Sequence, residues 1–126
     1  MASNSLTFTG RLRSVKFAVR GIATMLKTQH NALLHAAATA LVISTGLLLK
    51  LSVGEWCWIV LAITSVWTAE ALNTAFEFLT DVASPEFHPL AEKAKDVAAG
   101  AVLLAALGSV AIGGLVLGPR ILLLLR

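Results

Sequence analysis

Three long apolar stretches constrain this chain of 126 residues more than any other feature. We predict membrane-spanning helices over residues 32–50, 56–79 and 97–118, because a bilayer crossing needs about 20 mostly apolar residues. Hydrophobic residues make up 57% of the sequence and charged residues 13%. A chain this short has too little interior to hide so much apolar surface from water. We therefore expect an all-α integral membrane protein with one domain over residues 1–126.

The same composition excludes several other classes of protein. The high apolar content excludes a disordered chain and a coiled coil, and the single cysteine excludes a disulfide-stapled secreted domain. The net charge of +3 is small and no basic surface with interleaved aromatic residues is evident, so nucleic acid is not an expected partner. Because Cys57 lies in an apolar run, we expect it to be a buried, inert thiol.

The segment before the first span has the pattern of an amphipathic helix over residues 8–27. Its apolar side chains recur every three or four positions, which places them on one helical face. They are Phe8, Leu12, Val15, Val19, Ile22 and Leu26. Basic residues occupy much of the other face, so the helix is suited to lie in the lipid headgroup layer. A cleaved signal peptide is disfavoured, because a long basic segment without a convincing cleavage site precedes the apolar run.

The distribution of Lys and Arg predicts the orientation in the membrane, since cytoplasmic segments carry the excess. Seven of these residues precede the first span or lie between the second and third, namely Arg11, Arg13, Lys16, Arg20, Lys27, Lys93 and Lys95. Three lie on the opposite side, namely Lys50, Arg120 and Arg126. The N-terminus and the 80–96 loop are therefore predicted to be cytoplasmic.

Two glutamates lie inside the second predicted span, where an ionisable group is costly and is a functional candidate by default. At about 100° per residue, Glu70 and Glu77 share one helical face with Asn73, Thr74 and Asp81. Two carboxylates two turns apart suit coordination of a hard cation by oxygen. They also suit a division in which one binds metal and the other accepts a proton. The alternative is a polar stripe that only holds helices together through hydrogen bonds.

The loop predicted over residues 80–96 holds further candidates. His88-Pro89 precedes a predicted short helix, and His88 is the most plausible functional histidine, whereas His35 is better explained by packing or headgroup contact. Lys95 is either an anchor on the positively charged side or a phosphate ligand that faces the carboxylates. No Gly-x-x-x-x-Gly-Lys-Ser/Thr loop occurs, so phosphoryl transfer would need another architecture.

These residues resemble the small prokaryotic integral-membrane diacylglycerol kinases, and within that family the undecaprenol kinase branch. The resemblance is carried by Glu-Ala-Leu-Asn-Thr-Ala-Phe-Glu at 70–77 and by Ser-Pro-Glu-Phe-His-Pro-Leu-Ala-Glu-Lys-Ala-Lys-Asp at 84–96. The His-Pro-Leu-Ala segment is the part that favours the undecaprenol kinase branch. The similarity extends over about residues 11–117, nearly the whole chain.

The resemblance implies a homotrimer in the bacterial inner membrane, with composite active sites near the cytoplasmic surface. It implies transfer of the γ-phosphate of ATP to the hydroxyl of a membrane lipid, undecaprenol or diacylglycerol, with Mg²⁺ as cofactor. By motif position, Glu70 is the general base at the lipid hydroxyl, Glu77 binds metal and nucleotide, and Ala99 lies where the lipid passes. The other positions implied to contact nucleotide are Phe17, Gln29, Glu86, Phe87, His88, Lys95 and Asp96, with Asn73 and Asp81 as supporting polar residues.

The chain departs from the family pattern at three positions. Gln29 stands where the diacylglycerol kinases have a second metal-binding glutamate, and a glutamine brings one carbonyl oxygen but no charge. Phe17 replaces a nucleotide-contacting tyrosine, and Leu33 replaces a frequent arginine. We therefore expect weaker metal affinity, a shifted lipid preference, or metal ligation completed by ATP oxygens.

Two other classes of function fit the composition. A small proton-coupled multidrug-type transporter subunit is similarly short and uses an intramembrane glutamate, but it has no need for His88, Lys95 and Asp96 beside the carboxylates. A membrane scaffold or pore, including a catalytically weak member of the kinase family, would tolerate glutamine at Glu70 and Glu77. ATP-dependent transfer to a lipid separates the kinase from both.

Overall fold

A computed structural model describes residues 7–125 and is helical throughout, with no strand in that range. Its four helices are α1 (Phe8–Thr28), α2 (His30–Leu48), α3 (Val53–Ala83) and α4 (Pro89–Leu124). The last three are long and apolar enough to cross a membrane, which confirms the predicted number of spans. Arg126, one of the charges used for the orientation, lies outside the described residues. The placement of α1 in the headgroup layer stays a prediction.

The helices that flank the predicted 80–96 loop extend further into it than the sequence indicated. Helix α3 continues to Ala83 and α4 begins at Pro89, so only residues 84–88 lie between them. His88 forms the N-cap of α4, because its side chain accepts a hydrogen bond from the backbone N–H of Leu90. Proline is well suited to a first helical turn, where no intrahelical N–H bond is lost. The segment predicted as a separate short helix is therefore the first part of α4.

The turn between α2 and α3 is fixed by polar and steric contacts at the end of the molecule away from residues 84–88, which is named the outer end here, the opposite end being the inner end. Ser52 and Glu55 form a capping box at the start of α3, in which each side chain binds the other residue's backbone N–H. The Glu55 carboxylate also accepts two hydrogen bonds from the Arg120 guanidinium, at 2.9 and 2.7 Å. This paired geometry joins the first turn of α3 to the end of α4.

Gly46 allows α2 to approach this turn closely. A Cβ atom added to Gly46 would lie 2.8 Å from the Trp56 ring and 3.0 Å from a Leu51 methyl group. Both distances are shorter than ordinary van der Waals contact, so only glycine fits without displacing the indole. Trp56, in the first turn of α3, thus packs against α2.

Burial is concentrated on one stripe of α3. Its buried residues recur every three or four positions, from the outer half to the polar inner half, and are Ile59, Ala62, Val66, Glu70, Asn73 and Thr74. This face packs along α4 and, over a shorter length, against α2. The stripe that holds the apolar core together therefore continues without interruption into the carboxylate stripe predicted from the sequence.

The prediction of a buried thiol at Cys57 is wrong. Cys57 is exposed on the surface of the single chain. It lies two residues before Ile59, and a two-residue step of about 200° turns its side chain away from the buried stripe. An apolar run in a membrane helix does not by itself identify the face that packs inside the protein.

We predict that Gly46→Ala destabilises the protein by about 1–3 kcal/mol, because the added methyl group overpacks the contact with Trp56. The matched control is Gly54→Ala in the first turn of α3, where a new Cβ meets no described atom within 4 Å. Unfolding of both variants in detergent micelles measures the difference. Equal stability of the two variants would contradict the steric account of Gly46.

Candidate active site

Glu70 is the most buried carboxylate that the structure describes. The residue is 1% exposed, and neither carboxylate oxygen has a hydrogen-bond partner within residues 7–125. The neighbouring hydroxyl of Thr74 does not reach the carboxylate, since it donates to the backbone carbonyl of Glu70. A buried carboxylate with both oxygens free is rare in folded proteins and marks a group whose partner is a substrate, an ion or a proton.

Glu77, two turns closer to the inner end of α3, is held by two amide side chains. Asn73 donates from Nδ2 to one carboxylate oxygen at 3.1 Å, and Gln29 donates from Nε2 to the other at 2.6 Å. Gln29 ends α1 and precedes α2, so this bond joins the corner between the first two helices to α3. The Oδ1 atom of Asn73 is buried and has no partner among the described residues.

A cavity of about 280 Å³ lies beside Glu70 between α2, α3 and α4. It is lined by Asn31, Leu34, His35, Glu70, Asn73, Ala99, Val102, Leu103 and Ala106. The structure thus brings Glu70, Asn73 and Ala99 to one cavity. Its polar lining residues come from α2 and α3, and those from α4 are all apolar.

A second polar cavity, of about 360 Å³, lies around the short segment between α3 and α4. It collects six of the residues singled out in the sequence, Asp81, Glu86, Phe87, His88, Lys95 and Asp96. Lys95 donates to Asp81 at 2.5 Å. Lys95 is the one Lys or Arg side chain among the residues that line this cavity, and it is already paired with a carboxylate. Glu86, Glu92 and Asp96 line the same cavity, so carboxyl groups outnumber the ammonium group there.

Phe17 lies apart from this polar cavity in the single chain. It is 57% exposed on α1 and lines a different cavity, of about 460 Å³, with Thr74 and Phe78 of α3. The Arg20 guanidinium lies 6.0 Å from its ring centre, at the limit of a cation–π contact. The aromatic face of Phe17 is accessible, but not to the residues around Lys95.

Sequence reasoning missed three residues beside Glu70, namely Asn31, His35 and Ala106. Asn31 and His35 are four residues apart on α2 and so share a helical face. That spacing indicated a shared polar face on α2. The sequence does not show that this face meets α3, so His35 was assigned to packing or headgroup contact. The position of Ala106 depends on the packing of α4 and carries no comparable signal.

Glu77 is the carboxylate at which a hard divalent cation would bind. In the structure, Gln29 and Asn73 turn their amide N–H groups toward it, so binding would require these amides to rotate and present their carbonyl oxygens, the unpartnered Oδ1 of Asn73 among them. Residues 7–125 contain no cluster of three or more His, Cys, Asp or Glu side chains able to hold a metal alone. Mg²⁺ is commonly bound through one or two carboxylates together with substrate phosphates, and this donor set fits that arrangement.

Comparison with known proteins identifies the class to which this fold and site belong. The model of the prokaryotic diacylglycerol kinase family matches residues 16–117, most of the chain, so the chain belongs to this family and is a membrane lipid kinase. The chain is 42% identical to an undecaprenol kinase from Bacillus subtilis over 109 residues, which span 86% of this chain and 89% of the relative. It is 41% identical to a diacylglycerol kinase from Synechocystis over 117 residues, which span 90% of this chain and 66% of that relative. The resemblance drawn from the sequence is thereby confirmed.

We predict that Gln29→Glu destabilises the protein by about 1–3 kcal/mol without divalent cations, since it replaces a hydrogen-bond donor to Glu77 with a second carboxylate. Adding Mg²⁺ should restore more stability to this variant than to the parent, because two adjacent carboxylates bind a cation better than one. Thermal unfolding in EDTA and in Mg²⁺ measures both effects. Gln29→Ala is the control for loss of the donor alone. A Mg²⁺ response equal to that of Gln29→Ala would contradict the prediction.

Proposed function

We propose that this protein transfers the γ-phosphate of ATP to the hydroxyl group of a membrane lipid alcohol, with undecaprenol as the first candidate and diacylglycerol as the second. The observation that carries the proposal is the buried Glu70 carboxylate, which has no described partner and lies in a cavity between membrane-spanning helices. A lipid hydroxyl is a partner that can reach this cavity from the bilayer. The names of the two relatives agree with both candidate lipids.

Glu70 acts as the general base. Its unpartnered oxygens can accept the proton of a lipid hydroxyl that enters the 280 Å³ cavity. The lipid oxygen forms a bond to the γ-phosphorus, the bond from that phosphorus to the β,γ-bridging oxygen breaks, and ADP leaves with the electron pair. The proton taken by Glu70 returns to solvent after the products leave. Ala99, small and in the same cavity, leaves room for the lipid.

Glu77 with Gln29 and Asn73 would hold Mg²⁺ together with the phosphates of ATP. The cation, when bound, neutralises charge on the transferring phosphoryl group. Asn73 hydrogen bonds to Glu77 and also lines the cavity of Glu70, so it fixes the orientation of one carboxylate relative to the other. The two glutamates are seven residues apart on α3, about 10 Å along its axis. This separation would place Glu70 at the lipid hydroxyl and Glu77 at the phosphates of ATP.

The polar cavity between α3 and α4 receives the nucleotide. Lys95 supplies a positive charge for the phosphates, and Asp81 holds it in place until ATP arrives. This ion pair is largely exposed and therefore weak in water, so phosphate can replace the carboxylate at little cost. Glu86, Phe87, His88 and Asp96 complete the cavity. Phe17 would stack on the base by movement of α1 or from a neighbouring subunit.

We further propose a homotrimer in the bacterial inner membrane, with the N-terminus and residues 84–88 on the cytoplasmic side. The support for the trimer is the resemblance to the family, and the single chain leaves large apolar side chains exposed on all four helices for lipid and neighbouring subunits to cover. The support for the orientation is the excess of Lys and Arg at the end of the molecule that holds the polar cavity. ATP is available on that side, while the lipid reaches Glu70 from the membrane.

We predict that Glu70→Gln lowers kcat for lipid phosphorylation by about 100-fold or more, because the amide keeps the shape of the carboxyl group but cannot accept the proton. The measurement is phosphate transfer from γ-labelled ATP in mixed micelles, with undecaprenol and diacylglycerol offered separately and Mg²⁺ titrated.

The matched control is Glu55→Gln, which removes a carboxylate from the other end of the same helix. A folded Glu55→Gln protein should retain lipid phosphorylation. Activity of Glu70→Gln equal to that of the parent would remove Glu70 as the base. Absence of ATP-dependent transfer in the parent, together with ATP-independent substrate flux in proteoliposomes, would favour the transporter.

We predict that Lys95→Gln raises KM for ATP about tenfold while leaving KM for the lipid unchanged, since its charge faces the nucleotide cavity. Lys93→Gln is the control, because Lys93 lies two residues away and lines the groove on the other side of the α3–α4 pair. Steady-state kinetics with ATP as the varied substrate provides the test. Equal effects of the two substitutions would show that general positive charge, and not the position of Lys95, matters.

A further inference from the structure

Two side-chain hydrogen bonds fix the register of α2 against α3. Gln29, which precedes α2, donates to Glu77 at 2.6 Å, and the indole N–H of Trp67 donates to Thr39 at 3.1 Å. Thr39 follows Gln29 by ten residues, and Trp67 precedes Glu77 by ten residues. The two helices are therefore antiparallel, and between these bonds they stay level with each other at about 1.5 Å per residue.

This register places His35 level with Glu70. His35 follows Gln29 by six residues and Glu70 precedes Glu77 by seven, so their positions along the helix pair differ by about 1.5 Å. Both side chains line the cavity of about 280 Å³ between α2, α3 and α4. His35 is therefore the residue of α2 that lies across this cavity from the Glu70 carboxylate.

No hydrogen bond joins these two side chains. Neither carboxylate oxygen of Glu70 has a partner, and His35 forms no hydrogen bond or ion pair with any residue in the range 7–125. An ionised carboxylate can only accept hydrogen bonds, whereas an imidazole N–H donates one. The space between them is therefore bounded by an acceptor on α3 and a donor on α2, each without a partner in the described chain.

The other residues that line the cavity are less suited to donate a hydrogen bond beside Glu70. Those from α4 are all apolar. The amide of Asn73 already donates to Glu77. Asn31 precedes His35 by four residues on α2 and so lies about 6 Å closer to the inner end. His35 is therefore the donor at the level of Glu70.

We propose that the imidazole N–H of His35 donates a hydrogen bond to the hydroxyl oxygen of the lipid alcohol, while the same hydroxyl group donates its hydrogen to Glu70. The inference rests on the proposed lipid kinase activity and adds a residue to its active site. An alcohol oxygen has one hydrogen and two lone pairs. With the hydrogen directed to Glu70 and one lone pair to His35, the other lone pair is left for the γ-phosphorus.

In this arrangement His35 neither gains nor loses a proton. As the lipid oxygen bonds to the γ-phosphorus, the hydroxyl proton passes to Glu70 and ADP leaves with the electron pair of the broken bond. The imidazole holds the oxygen in the orientation in which these events occur together. A side chain that keeps an N–H donor at this position should therefore support the reaction, even if it cannot accept a proton.

Three variants separate the hydrogen bond from the shape of the side chain. His35→Gln keeps an N–H donor, and His35→Leu keeps an apolar side chain of similar bulk without a donor. The control is His30→Leu, because His30 is the other histidine of α2 and does not line the cavity of Glu70. Thermal unfolding in micelles identifies the variants that are folded before their kinetics are compared.

The first measurement is lipid phosphorylation by these variants and the parent. We expect His35→Leu to lower kcat about 10–100-fold with KM for ATP unchanged, because the lipid oxygen loses its donor. His35→Gln should stay within about fivefold of the parent, and His30→Leu should behave as the parent does. A parental kcat in His35→Leu would remove His35 from the site. A loss in His35→Gln as large as that in His35→Leu would exclude the donor role.

The second measurement detects the hydrogen bond without catalysis. Full-length protein with isotope-labelled histidine is placed in dodecylphosphocholine micelles without ATP, and undecaprenol, diacylglycerol or hexadecane is added. We expect at least one of the two alcohols to shift the ring-nitrogen NMR resonances of His35, assigned by their loss in His35→Gln. Hexadecane, which has no hydroxyl group, should leave them in place. Resonances that respond to neither alcohol, or equally to hexadecane, would overturn the proposal.

The two measurements separate this inference from the kinase proposal. A response of His35 to an alcohol in a protein that transfers no phosphate would retain the hydroxyl site and remove the kinase activity. Transfer that requires Glu70 but is unchanged in His35→Leu would retain the kinase and remove His35 from its active site.

Discussion

The burial of the Glu70 carboxylate is the constraint on which the rest of the structure depends. A carboxyl group inside a membrane-spanning helix is unfavourable, and here it lacks even a hydrogen bond from the described protein. It lies on the same stripe of α3 as the apolar core residues Ile59, Ala62 and Val66, and a small cavity between α2, α3 and α4 remains beside it. The packing energy of the apolar part of α3 thus maintains a reactive group that would not be stable on an isolated helix.

Glu77 has the opposite environment from Glu70. Its oxygens are both occupied by amide donors, one of which comes from the corner between α1 and α2. These two hydrogen bonds fix the orientation of the carboxylate. The corner residue Gln29 therefore connects α1 to the polar stripe of α3, so that movement of α1 acts directly on the environment of Glu77.

The sequence was sufficient to predict the three spans and the polar stripe, because both depend on periodicity within one helix. Glu70, Asn73 and Glu77 lie on one face in the structure as their spacing required. The exposure of Cys57 and the position of His35 beside Glu70 were not predictable in the same way. Each depends on which faces of different helices meet, and a single sequence does not encode that information in any local pattern.

The contacts at the two ends of α3 and α4 differ in kind, and this has a mechanical consequence. At the outer end, a paired guanidinium–carboxylate contact and the Gly46–Trp56 contact lock three helices together. At the inner end, residues 84–88 and one exposed ion pair are the link. The end of the α3–α4 pair that carries Glu55 and Arg120 is therefore the more firmly held end. Small rotations of α4 against α3 about that end produce their largest displacement at the opposite end, around residues 84–88, where the polar cavity lies.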